Sequence, residues 1–151
     1  MSLTYSIKTF ADLSPFELYS ILQLRSEVFV VEQQCVYPDM DNKDLKAYHL
    51  MGKDGDRVLA YTRLIPPGIS YEEPSIGRVV TSPLIRRTGE GRELMQRSID
   101  WMRERYPGRP IRIGAQLYLK DFYASLGFSP CSAVYLEDGI EHIEMLLGDL
   151  R

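Results

Sequence analysis

IGRVVTSPLIRRTGEGRELM, residues 76–95, joins an extended apolar run to a basic, glycine-containing turn that opens a helix. The turn, residues 86–91, reads as a pyrophosphate cradle. Glycine at 89 and 91 removes two Cβ atoms where a ligand would approach the backbone, so amide N–H groups can point at phosphate oxygens. The helix N-terminus adds a partial positive charge worth about 0.3–1 kcal/mol to an anion. Each charge-assisted bond from Arg86, Arg87 or Arg92 adds about 1.5–3 kcal/mol. Glycine beside arginines at a helix start also occurs without any ligand. The context favours a ligand here: a strand precedes the turn, Pro83 interrupts the passage, and a strongly amphipathic helix follows. The turn lacks the Gly-Lys-Ser/Thr ending of a P-loop and the three glycines of a dinucleotide fingerprint.

Working outward, strand 76–81 is apolar on both faces and therefore interior. Downstream, Leu94, Met95, Ile99, Met102 and Tyr106 keep helical spacing until Pro107-Gly108. A strand at 111–115 follows, then a short helix at 119–126 ended by Gly127, and a hairpin of 128–136 with 140–147 around Asp138-Gly139. Upstream, 5–10 alternates as a first strand. Ser14-Pro15-x-Glu17 is a capping box that opens a helix with apolar residues at 18, 21, 22, 28 and 29. Arg25 lies on that apolar stripe, so it either snorkels from the core edge or reaches into a site with a carboxylate partner such as Glu32. Val30-Val31 weakens the helix, 32–47 reads as a loop, and 48–51 with 58–65 form an antiparallel hairpin around Asp54-Gly55.

At 151 residues, 44% hydrophobic and 26% charged, the chain reads as one domain over 1–151. No run approaches the ~18 apolar residues of a membrane span, and the N-terminus lacks a signal-peptide pattern, so the expected location is the cytoplasm with no membrane partner. Cys35 and Cys131 read as structural thiols, and no metal site is expected. A net charge of −3 argues against nucleic-acid binding. The arginines at 78, 86, 87, 92 and 97 suit a discrete polyanion instead. Glu32, Asp39, Asp41 and Asp44 outnumber Lys43 and Lys46 in the 32–47 loop, which suits a mouth that prefers amines or an ordinary solvated loop.

Taken in order, these pieces resemble the GCN5-related N-acetyltransferases over nearly the whole chain. Pro83, Arg86, Gly89 and Gly91 occupy the places of that family's acetyl-CoA motif, and Phe122-Tyr123-x-x-x-Gly127-Phe128 looks like its last-helix signature. A closer resemblance is to the ElaA-like subgroup, through Leu24-Arg25, residues 28–33, Tyr37, Asp39, Asp41, Gly114-Ala115-Gln116, residues 137–140 and His142. The resemblance implies an α/β (α+β) fold: a central mixed, mostly antiparallel twisted sheet of about six to seven strands, flanked by helices on both faces.

It also implies the cofactor, acetyl-CoA, with its pantetheine arm along Val79, Val80 and Thr81 and its diphosphate held by Arg86, Arg87, Thr88, Gly89, Glu90, Gly91 and Arg92. Gln116 stands where many members have an asparagine that contacts pantetheine, and Arg87 where glycine is commoner. The implied reaction is acetyl transfer to a primary amine of a small molecule or exposed peptide. A backbone N–H near Val80 polarises the carbonyl and Tyr123 acts as general acid. An alkyl ammonium of pKa about 10 needs a base; Glu32 is the first candidate, with His49 and His142 behind it. Arg25, Asp39 and Asp41 are expected to bind the acceptor. A non-catalytic acyl-CoA-binding module and an enzyme using another acyl donor are the alternatives. The apolar closing strands suit pairing in a homodimer.

Overall fold

The structure, a computed structural model, describes residues 2–148. Its strands are β1 (Thr4–Thr9), β2 (Tyr48–Asp54), β3 (Arg57–Ile65), β4 (Ser75–Thr81), β5 (Ile111–Gln116), β6 (Ser129–Pro130), β7 (Tyr135–Glu137) and β8 (Ile140–Leu147). Its α-helices are α1 (Pro15–Arg25), α2 (Glu90–Arg105) and α3 (Lys120–Ser125). All eight strands form one sheet in the order β1-β2-β3-β4-β5-β8, with β6 and β7 both on the outer edge of β8. Among the described residues only β4 and β5 run parallel. The sheet has eight strands rather than six or seven because 128–136 divides in two. Pro130 has no N–H to extend the ladder, and Ser132 Oγ, not a backbone carbonyl, accepts the Glu144 N–H at 2.9 Å.

The capping box is present: Ser14 Oγ accepts from Glu17 N at 3.0 Å, and Glu17 Oε1 accepts from Ser14 N at 2.9 Å. Such a cap contributes about 0.5–2 kcal/mol. The helix does not stop at Val30. It continues through Ser26–Glu32 as a π-helix, with Gln33 N bonded to Val28 O at 3.0 Å. Tertiary burial of Val28 and Phe29 outweighs the weak helix preference of the two valines.

One layer of core lies under α2 and α3, where Leu94, Met95, Ile99 and Met102 meet Leu59, Leu64, Ile76, Ile111, Ile113 and Met145. The other lies under α1, where Ile21, Leu24, Val28 and Phe29 meet Met51, Val58, Tyr61 and Val80. Helices thus cover both faces. Two irregularities open the sheet between these layers. Tyr61 pairs with Val80 but Arg63 with Gly77, so Arg78 and Val79 together oppose Thr62, a bulge at which Arg78 takes φ +46°. The parallel ladder between β4 and β5 has a single register pair, Ser75 with Arg112. Beyond it the two strands part.

Candidate active site

A cleft of about 820 Å³ occupies the gap where β4 and β5 part, lined from both by Ser75 to Thr81 and by Ile113, Gly114 and Gln116. The basic turn stands at one end. Ser82 Oγ accepts from Leu84 N to start a short 3₁₀ turn, Arg87 takes φ +63°, and Gly89 at φ +85° begins α2. Among the described residues no side chain caps α2, so its first amides keep their donors, although Glu90 and Glu93 in the first turn offset part of its dipole. A Cβ at Gly89 or Gly91 would meet nothing within 4 Å, so the concave side of the turn is open. This geometry fits a diphosphate.

Three of the charged side chains around the turn, those of Arg86, Glu90 and Arg92, are already engaged. Arg86 donates two bonds to Glu32, at 2.8 and 2.6 Å, across the mouth of the cleft. Both side chains are about 40% exposed (39% and 41%). Arg92 donates to Ser125 Oγ and O at 2.9 and 3.2 Å and so ties α2 to the end of α3. Glu90 accepts from the Tyr5 hydroxyl at 2.5 Å and is drawn toward β1. Thr88 Oγ1 donates to Ile85 O within the turn, and Arg87 is exposed.

Further in, Val79, Val80 and Thr81 line the cleft on the edge of β4 that β5 has left. Tyr123 lines it from α3 and is 5% exposed. Burial, followed by the neighbouring Tyr118, pushes its phenol well above the usual tyrosine range, so the hydroxyl keeps its proton at neutral pH. Phe122 and Phe128 hold the ring edge-on at 5.3 and 6.1 Å between centroids. Gln116 does not reach free into the cleft: it exchanges two amide hydrogen bonds with Gln33, at 3.1 and 3.2 Å, and so joins β5 to the end of the π-helix.

The expected acceptor residues are mostly elsewhere, and their chemistry differs from the expectation. Arg25 is fully buried (0% exposed) and pairs with Asp39 at 2.8 Å and Asp44 at 2.7 Å, not with Glu32. Asp39 also faces Arg78 Nε at 2.8 Å and accepts from the Tyr37 hydroxyl at 3.1 Å. Asp41 accepts from Arg63 Nη1 and Nη2 at 2.7 and 2.9 Å. The three aspartates are thus matched by three arginines, and the 32–47 segment is not an acidic mouth. Of the three expected acceptor binders, only Asp41 lines the cleft. Burial pushes the Asp41 carboxyl up, but the Arg63 hydrogen bonds and charge outweigh it and hold the group at about 2.

Among the base candidates, Glu32 is held below the usual carboxylate range by its Arg86 hydrogen bonds, which weakens it as a base. His49 is 1% exposed, lies outside the cleft, and has both ring nitrogens engaged, Nδ1 with the Tyr61 hydroxyl at 2.6 Å and Nε2 with Asp44 O at 2.9 Å. His142 is different. It lines the cleft, paired in register with Gln116 on one side and Tyr135 on the other.

Sequence reasoning missed Arg63, Tyr71 and Tyr135. A charge within the apolar run 58–65 was a usable signal, since a buried arginine demands a buried carboxylate. The tyrosines carried no such signal. Their hydroxyls close over Gly114, where a Cβ would lie 3.0 Å from Tyr135 and 3.2 Å from Tyr71. Among the described residues, no group of three or more histidine, cysteine or acidic side chains is placed to hold a metal ion, and no helix is long and apolar enough to cross a membrane.

The model of an acetyltransferase (GNAT) domain matches residues 14–148. A UPF0039 protein of Synechocystis is 43% identical over 147 residues, which are 97% of this chain and 96% of the relative. The crystal structure of an acyl-CoA N-acyltransferase from Pseudomonas aeruginosa superposes with a TM-score of 0.91 at 42% identity, covering 96% of this chain and 99% of that one. That of Escherichia coli ElaA gives 0.89 at 38% identity, covering 95% and 98%.

Proposed function

This chain belongs to the GNAT acetyltransferase family, and on that premise we propose that it transfers an acetyl group from acetyl-CoA to a primary amine of a small molecule or exposed peptide. Membership makes it an acyl-CoA-dependent N-acyltransferase. The choice of acetyl as the acyl group, of the acceptor and of the residue roles is our reading. One observation carries it: the gap between β4 and β5 leads from an open, uncapped helix N-terminus to the buried hydroxyl of Tyr123.

When bound, acetyl-CoA supplies a thioester carbonyl and a thiol leaving group. The backbone of residues 86–91 and the N-terminus of α2 hold the diphosphate, with Arg87 and Arg92 at its flanks. Arg86 joins them after exchanging Glu32 for phosphate oxygens. The edge of β4 at Val79, Val80 and Thr81 that faces the gap aligns the pantetheine arm, and a backbone N–H near Val80 on that edge donates to the carbonyl oxygen as charge develops there. Tyr123, kept protonated by burial, gives its proton to the departing sulfur. Gln116 acts through Gln33, fixing the width of the gap rather than contacting pantetheine directly.

The test is release of free thiol from acetyl-CoA against a panel of alkylamines, polyamines, amino acids and peptides, repeated with longer acyl-CoA donors. Turnover with acetyl-CoA and one amine class supports the reading. Binding of acetyl-CoA without thiol release on any acceptor would favour an acyl-CoA-binding module. Self-association through the closing strands is a separate proposal. Because β8 is already paired on both edges, such a dimer would form through β6 and β7, and light scattering tests it.

A further inference from the structure

We infer that His142 is the general base of this reaction and that Glu137 stabilises the imidazolium it forms, an inference that rests on the transferase reading above. The argument begins with the tautomer. Nδ1 of His142 lies 2.7 Å from the carbonyl oxygen of Ile140. A carbonyl only accepts, so Nδ1 must carry the proton of the neutral ring, and Nε2 must carry the lone pair. Nε2 lies 3.5 Å from Glu137 Oε2. A neutral ring gains little from that neighbour, whereas a ring protonated at Nε2 gains a charge-assisted partner.

Orientation is fixed from two further sides. The ring stacks on Tyr135 with centroids 5.7 Å apart and planes 27° from parallel, and the β5 register sets it beside Gln116. It is 7% exposed and on the wall of the cleft. Its neighbours in β8, Ile143 and Met145, belong to the core under α2 and α3, so alternation puts His142 on the other face of the sheet. That face is where Tyr71 and Tyr135 close over Gly114. An acceptor entering there meets His142, while Tyr123 reaches the gap from α3. Base and acid thus approach the β4–β5 gap from opposite sides.

Of the carboxylates that line the cleft, Glu32 is occupied by Arg86 and Asp41 by Arg63, Glu137 faces His142 itself, and Asp138 sits at the β7–β8 turn. The Tyr71 and Tyr135 phenols are pushed up, first by burial, and stay protonated. The charged and titratable groups around His142 are Glu137 and Tyr135 of β7, Asp138 at the turn, Cys35 and Tyr71 across the cleft, and the Arg112–Glu144 pair further along the same face.

The step balances as follows. The ammonium gives one proton to His142 Nε2, which later passes to solvent. The freed nitrogen forms the C–N bond as the C–S bond breaks. Tyr123 protonates the sulfur and recovers a proton from the new amide nitrogen through solvent. One proton is released per turnover.

Two measurements test this. Histidine-selective nitrogen NMR of the unliganded protein at pH 8 is expected to show His142 protonated at Nδ1 alone; an Nε2–H tautomer overturns the inference. The second is the pH profile of kcat/KM for His142→Asn and Glu137→Gln, with the best alkylamine from the thiol-release panel, alongside acetyl-CoA affinity by calorimetry. His142→Asn is expected to lower kcat/KM at pH 7 by about 10²-fold or more, with acetyl-CoA affinity within twofold of wild type. Its profile should climb about tenfold per pH unit toward the free amine's pKa near 10, whereas the wild type should level off well below that pH. Glu137→Gln, which leaves the ring in place, should lower kcat/KM less and keep the plateau. A wild-type-like profile in His142→Asn refutes this inference alone. Absence of thiol release by the wild type on every amine refutes the transferase reading and this inference with it.

Discussion

At the proposed diphosphate end of the cleft, the donors come from a handful of successive residues between Arg86 and the first turn of α2. On the proposed acceptor side, the polar groups come from the π-helix, the 39–46 segment, β3, the bulge of β4 and the β7–β8 turn. The contacts that join them span 22 residues for Arg63–Asp41, 83 for Gln33–Gln116 and 103 for Cys35–Asp138. One half is therefore made by local backbone geometry and the other by tertiary pairing of charges. The two halves should respond differently to mutation: the first should lose its ligand while keeping its fold, and the second should lose its fold before its ligand.

The sharpest break in the first half is Gly91→Glu. Because a Cβ at position 91 has open space, the variant should fold with an unchanged melting temperature. Its added charge and side chain should weaken acetyl-CoA by on the order of 10³-fold or more, about 4 kcal/mol, measured by calorimetry. Tight binding by this variant would remove the turn from the site.

In the second half the corresponding break is Arg25→Met, which leaves the buried Asp44 and the half-buried Asp39 with fewer cations. Removing one partner of a buried pair costs about 3–5 kcal/mol, read by denaturant unfolding. A related signature is pH. The Asp41 and Asp44 carboxyls both sit below their ordinary values, burial being outweighed by Arg63 and Arg25 respectively. A depressed carboxylate stabilises the fold above its unfolded pKa, near 4, and that contribution fades as pH falls. For Asp41, held at about 2, the loss should run from roughly pH 4 to pH 2 and amount to about 2 kcal/mol. Acid stability unchanged in Asp41→Asn would show that the network contributes nothing there.

Smaller effects sharpen the boundary between the halves. Tyr123→Phe should reduce turnover about 10²-fold while leaving acetyl-CoA affinity within twofold, measured by thiol release and calorimetry. Glu32→Gln should tighten acetyl-CoA severalfold, because Arg86 no longer has to break a two-bond carboxylate pair to reach phosphate, about 1 kcal/mol for an exposed pair. A large fall in kcat with unchanged affinity in Glu32→Gln would return the base role to Glu32 and contradict the assignment of His142.

Glu32 and Arg25 also mark where reading the sequence stops. In the sequence, Arg25 on an apolar stripe calls for a carboxylate, and Glu32, seven positions on, is an economical partner. The structure gives Arg25 to Asp39 and Asp44, and Glu32 to Arg86. The π-helical continuation is the reason: it keeps Arg25 on the buried stripe under β3 while carrying Glu32 out to the mouth of the cleft. Similarly, two buried histidines with the same intrinsic chemistry are separated by their partners. One has both nitrogens consumed, and the other has one nitrogen anchored and one facing a carboxylate.

The sequence by itself determined the glycine turn, the capping box, the hairpin turns and the apolar faces of strands and helices, and from their order the family. These depend on backbone conformation and on periodicity over a few residues, which neighbouring side chains dictate. Only the tertiary structure decided which carboxylates are paired with arginines, which histidine has one ring nitrogen on a carbonyl and the other facing a carboxylate, and that Gln116 is spoken for by Gln33. Those outcomes depend on the bulge in β4, the parting of β4 from β5 and the register of β8. They are set by contacts between segments up to a hundred residues apart, where a single shift in register would change every partner.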